Sequence, residues 1–117
     1  MQVQVHTDDH IHGSESLAQW VQEEANSRLA RLRDNITRLE VFLSDVDSGK
    51  SGINDKRCRL EARVAGRPPV SVTAEADKMA SAFIDSVDKL VRLLDTELGR
   101  VKDRHGRDTI RTAVQEE

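Results

Sequence analysis

Polar and apolar residues alternate through MQVQVH, which puts Val3 and Val5 on one side of a short strand. The period then lengthens: Leu17, Val21, Ala25, Leu29 and Leu32 recur at spacings of three and four with Trp20 beside them, and this stripe predicts a helix over about Leu17–Arg33. Ser16 and Gln19 in SLAQ have the spacing of a capping box at its start. In DNITRLEVFLSD the period returns to two, with Leu39, Val41 and Leu43 on one side and Arg38, Glu40 and Phe42 on the other. DVDSGKSGINDK is a run of turn-formers and reads as a long connection. RCRLEARVAG alternates again, Cys58, Leu60, Ala62 and Val64 inward and Arg57, Arg59, Glu61 and Arg63 outward. GRPP turns the chain, and VSVTA adds a fourth strand with Val70, Val72 and Ala74 inward. After Asp77, read as an N-cap, the residues Ala80, Phe83, Ile84, Val87, Leu90, Val91, Leu94, Leu98 and Val101 mark the strongest helix, with Gly99 weakening its end.

The order is therefore strand, helix, three strands, helix. Strands with one apolar side and helices with one apolar stripe predict a two-layer α+β sandwich, β-α-β-β-β-α, with a four-stranded sheet and both helices on one face. The other face is left open and presents Arg38, Glu40, Phe42, Arg57, Arg59, Glu61, Arg63, Ser71 and Thr73. At 117 residues the chain holds one domain, expected over 1–104, with 105–117 as a flexible C-terminal tail of little periodicity. Its 37% hydrophobic residues include no apolar run near the roughly 18 that span a bilayer, so no membrane partner is expected. The start lacks the basic flank and apolar stretch of a signal peptide, and Cys58 is the sole cysteine, so a cytoplasmic protein without disulfides is expected.

A formal charge of −3 changes meaning once divided along the chain: residues 1–27 carry five acids and no Lys or Arg, whereas 28–67 carry ten basic residues against six acids. A basic middle suits a polyanion better than the total suggests. Arg28 and Arg31 lie one turn apart, Lys89, Arg92 and Arg100 lie near one polar edge of the second helix, and Arg57, Arg59 and Arg63 point one way from a single strand; guanidinium groups at these spacings suit phosphates. The bland alternative is a solvated surface, since Glu61, Asp85, Asp88 and Asp95 sit among the bases. Phe42, on the open face, suggests base stacking, although one aromatic makes no platform and recognition of shape and backbone is expected.

Catalytic motifs are absent: no nucleophile elbow, P-loop, dinucleotide fingerprint or paired-carboxylate pattern occurs, so no enzyme, cofactor or small-molecule substrate is expected. DVDSGKSGINDK fails as a calcium loop, with Gly49 at a ligand position, Lys50 where glycine is needed and Lys56 where the bidentate Glu belongs. Cys58 takes the inward parity and reads as core. HTDDHIHG, residues 6–13, gathers three histidines, yet no single regular conformation brings His6, His10 and His12 together, and a polar loop before a helix is the better reading than a metal site.

The element order, together with SRLARL (27–32) and AEADKMASAFIDSVDKLVRLL (74–94), resembles the two helices of the ribosome hibernation promoting factor and ribosome-associated inhibitor family, also called the sigma-54 modulation or S30AE family. The resemblance covers roughly 1–102, aligns without gaps through the second helix, and implies a fold similar to double-stranded-RNA-binding domains. It implies a translation-silencing factor that binds the small ribosomal subunit and its rRNA, in the channel for mRNA and tRNA, in stationary phase or stress. It also implies that Arg28, Arg31, Lys89 and Arg92 carry the binding, with Arg100 continuing the face. Three features depart from the family: DTE at 95–97 where the second helix tends to continue basic, longer loops at 6–16 and 45–56, and no second domain, so a short form is expected. The alternatives are a protein-interaction module of the same fold that no longer binds ribosomes, contacting its partner through the acidic N-terminal helix and open sheet, and, far behind, a metal role for the histidines. Nothing in the residues speaks to the oligomeric state.

Overall fold

The computed structural model describes residues 1–8, 14–45 and 55–110, apart from the side chains of Ser14 and 100–110. Its elements are β1 (Gln2–Thr7), α1 (Ser14–Arg28), a 3₁₀ turn (Ala30–Leu32), β2 (Ile36–Asp45), β3 (Lys56–Val64), β4 (Val70–Ala76) and α2 (Met79–Ile110). One sheet holds the strands in the order β1-β2-β3-β4. β1 runs parallel to β2, as a strand joined through a helical crossover must, while β2–β3 and β3–β4 are antiparallel hairpin pairs. The α+β architecture is the one the alternation of periods predicts.

Both helices lie on the same side of the sheet, α1 against β1 and α2 against β3 and β4. The core between the layers is the expected set: Val21, Ala25, Leu29 and Leu32 from the first helical region, Leu39, Val41, Leu43, Cys58, Leu60, Ala62 and Val64 from the sheet, and Phe83, Val87, Leu90 and Leu94 from α2. Trp20 meets Phe83 edge to face, centroids 5.6 Å apart, which joins the two helices over the sheet. The Cys58 thiol is fully buried, and burial pushes it up to about 11 even though the Ser86 hydroxyl lies 3.2 Å away. It is a packing residue, as its parity predicts.

Several local expectations are corrected. α1 starts at Ser14, two residues before the Ser16 expected to cap it, and ends at Arg28 rather than Arg33; Leu32 still reaches the core because the chain tightens into the 3₁₀ turn, with Leu32 N–H donating to the Leu29 carbonyl at 2.9 Å. The first α2 bond is accepted by the Lys78 carbonyl (3.0 Å, from Ala82 N–H), so Lys78, and not Asp77, holds the cap position. Ala80 is exposed, whereas Ala82 and Ser86 are buried, Ser86 donating to the Phe83 carbonyl at 2.7 Å, the local bond that lets a hydroxyl sit inside a helix packed on apolar neighbours. Alternation alone puts Ile36 outward; a register shift between Ile36 and Arg38 leaves Thr37 over and turns Ile36 into the core. The β3–β4 turn passes through Gly66 at φ 72°, a left-handed position that glycine occupies without strain. α2 runs on to Ile110, past the expected end near Val101, through a stretch without proline. Residues 111–117 lie outside the described residues.

No helix among the described residues is long and apolar enough to cross a membrane. Residues 9–13, with His10 and His12, and 46–54, the failed calcium loop, lie outside the described residues.

Candidate nucleic-acid interface

The seven candidate cations whose side chains are described separate onto two faces, because alternation in β3 sends Arg57, Arg59 and Arg63 away from the helices. On the helix side, Arg28 ends α1 and donates through Nε to Glu24 at 2.9 Å, an i,i+4 pair within one helix. Arg31 stands in the 3₁₀ turn and reaches across to α2, where its two terminal nitrogens meet the two Asp95 oxygens at 2.9 and 2.8 Å. That fork-to-fork contact spans 64 residues of sequence, with side chains 62% and 46% exposed. It holds the Asp95 carboxyl below the usual carboxylate range and raises Arg31, each shift caused first by the hydrogen bonds between them. Arg92 lies one turn before Asp95 on α2 and has no carboxylate partner among the described residues.

Lys89 faces the other flank of α2, where its Nζ donates to the Thr73 carbonyl of β4 at 2.7 Å. β4 is an edge strand of the sheet, so this amine satisfies an edge acceptor while its charge stays in solvent. With Arg92, Asp85, Asp88, Ala74 and Glu75 it lines a shallow depression between α2 and β4. The side chain of Arg100 lies outside the described residues.

On the open face the register aligns residues in rows across the strands. Arg57 faces Glu75 on β4 and pairs with it at 2.7 Å. Arg59 pairs with Glu61 and lies over the Phe42 ring, 4.3 Å from its centroid. His6, in the same row on β1, stacks on Phe42 with centroids 4.7 Å apart and planes 14° from parallel. Phe42 is thus engaged by an imidazole from one neighbouring strand and a guanidinium from the other, and is no free platform for a base. His6 also lies 3.4 Å from a Glu40 oxygen, and no group of three or more His, Cys, Asp or Glu positioned for a metal occurs among the described residues. Arg38 donates to Gln4 at 2.8 Å and lies 3.0 Å from Glu40. Arg63 is exposed beside Arg38 in the register, without a carboxylate partner among the described residues.

Two residues of weight here have no signal in linear spacing. Asp95 and Glu97, the acids of DTE, each hold an arginine from elsewhere: Asp95 takes Arg31, and Glu97 takes Arg67 at 3.2 Å. Only a pairing of distant segments could have revealed them.

In fold, the chain is similar to the N-terminal domain of protein Y from Thermus thermophilus (22% identity, 86% of this chain and 99% of that one, TM-score 0.61). It is likewise similar to a ribosomal subunit interface protein from Coxiella burnetii (20% identity, 88% and 99%, TM-score 0.60). Among curated proteins none matches significantly. The family model described as sigma 54 modulation protein / S30EA ribosomal protein matches residues 3–104, and the chain belongs to that family.

Proposed function

We propose that this protein is a non-catalytic, cytoplasmic ribosome-associated factor that inhibits translation by binding the small ribosomal subunit and its rRNA in the mRNA and tRNA channel, under stress or in stationary phase. The family match over 3–104 supports ribosome association, and protein Y and a ribosomal subunit interface protein share the fold. The observation that carries the reading is the helix side: Arg28, Arg31, Lys89 and Arg92 come from segments more than fifty residues apart, and all four are exposed on the helical layer. Arg31 is tied to the turn of α2 that follows Arg92. Exposed guanidinium and ammonium groups on one layer suit phosphates, and four such contacts correspond to a salt slope of about −3 to −4. Arg57, Arg59 and Arg63 stand on the opposite face of the sheet and take a secondary part in this reading, and Arg100 continues the helix side by position alone.

The internal pairing of Arg28, Arg31, Arg57 and Arg59 favours a second reading, a protein-interaction module of the same fold that has left the ribosome. Sedimentation through sucrose with ribosomes from stationary-phase cells decides between them. The proposed factor travels with the small-subunit or whole-ribosome fractions at low salt and is released as salt rises. A protein that stays at the top of the gradient at low salt belongs to the second reading.

A further inference from the structure

We infer that Asp95 is a specificity-determining residue: its carboxylate occupies the terminal fork of the Arg31 guanidinium and offsets its charge, so an RNA phosphate takes that fork only by displacing Asp95. This rests on the ribosome-binding reading above and deepens it. A guanidinium presents the same planar fork to a carboxylate as to a phosphate, and the contact of both Arg31 terminal nitrogens with both Asp95 oxygens fills that fork. Both side chains are exposed, with Arg31 nearly two-thirds accessible, so the pair is weakly held and open to exchange with an incoming anion. Glu24 stands in a different relation to Arg28, since it is one turn away on the same helix and contacts the guanidinium through Nε only at hydrogen-bond distance.

Displacement has two consequences. Arg31 exchanges one anion for another and contributes little net attraction, and the freed Asp95 carboxylate is left beside the phosphate that replaced it, where like charges repel. Phosphates fixed in place by other contacts can bear that cost. The nearest such contact on α2 is Arg92, one turn earlier and without a carboxylate partner among the described residues. A flexible single-stranded RNA, which presents phosphates one at a time, cannot. Asp95 thereby favours structured rRNA over indiscriminate RNA binding.

The test is a double-mutant cycle on the full chain, with binding to purified small ribosomal subunits and to poly(U) measured over a salt series, and circular dichroism to check each variant's fold. Asp95→Asn keeps the shape and one acceptor while removing the charge. It is expected to tighten binding to small subunits about three- to tenfold, to tighten poly(U) binding by a larger factor, and to steepen the salt slope by about one. In an Arg31→Ala background the same substitution is expected to change affinity by less than about twofold, because its target is gone. Glu15→Gln, which removes an equal charge at the far end of α1, about 20 Å from Arg28 along the helix, is expected to leave both affinities within about twofold. Weaker or unaltered binding by Asp95→Asn overturns the inference, as does an equal gain in the Arg31→Ala background or from Glu15→Gln. If the unmodified protein binds subunits and Asp95→Asn does not improve it, the inference alone falls. If neither binds at low salt, the ribosome reading falls and takes the inference with it.

Discussion

The basic residues of the helical layer and those of the open sheet face share a spacing logic in the sequence but differ in what they are bonded to. On the sheet, Arg57, Arg59 and Arg38 are set in rows by strand register, so acids on the same or adjacent strands lie within reach, and Glu75, Glu61 and Glu40 neutralise them. Arg59 is further held on the ring of Phe42. On the helical layer Arg28 and Arg31 are also held by carboxylates, Glu24 and Asp95, whereas Lys89 donates to a neutral carbonyl and Arg92, like Arg63 on the sheet, has no carboxylate partner among the described residues. The paired cations of the sheet are bound to acids and a ring of the sheet itself, whereas the helical layer offers Lys89 and Arg92 without a carboxylate and Arg31 in an exposed pair between two elements. Spacing says which cations share a face, and pairing says which of them are available.

That comparison breaks if the two faces respond alike. Reversing Arg28, Arg31, Lys89 and Arg92 to Glu is expected to weaken binding to small ribosomal subunits at least about 100-fold, while Arg57, Arg59 and Arg63 to Gln together shift it less than about threefold, as read by sedimentation at fixed salt. Equal losses would erase the distinction between the faces. The buried side of β3 is tested through Cys58, whose folded-state thiol is raised to about 11, above its ordinary value near 9. A raised group keeps its full contribution below the unfolded value and loses it as pH rises through the folded one, so stability is expected to fall by about 2 kcal/mol between pH 9 and 11. Cys58→Ala should flatten that slope in urea melts, and the native thiol should resist alkylation until the protein unfolds. Stability then gives the mirror image of binding: Arg59→Ala is expected to cost about 1 kcal/mol through its lost ring and Glu61 contacts, and Arg92→Ala under about 0.5 kcal/mol, measured as midpoints in urea. The smallest effect is in the salt dependence, where Arg92→Ala should lower the slope by about one and Arg59→Ala should leave it unchanged.

Much of the fold is legible in the residues because the two periods are clean. Leu39, Val41 and Leu43, like Cys58, Leu60, Ala62 and Val64, occupy the inward parity that alternation assigns them. The failures are local and have local causes. Ile36 departs from parity because a bulge adds Thr37, and Leu32 stays in the helical stripe although α1 ends at Arg28, because a 3₁₀ turn keeps it pointing inward. DTE at 95–97 reads in one dimension as a thinning of a basic helix; folded, its two acids are matched by Arg31 and Arg67. Phe42 reads as a lone exposed aromatic, and the register of β1 and β3 gives it His6 and Arg59.

What the sequence determines by itself is the order of elements, which side of each is buried, and the family to which the chain belongs. Those properties follow from residue type at fixed local periods, and a helix or strand expresses its period wherever it is placed. Only the tertiary structure decides which charges meet. A guanidinium and a carboxylate must come within about 3 Å to cancel each other, and for Arg31 and Asp95 that distance is closed across 64 residues by the packing of two helices on one sheet.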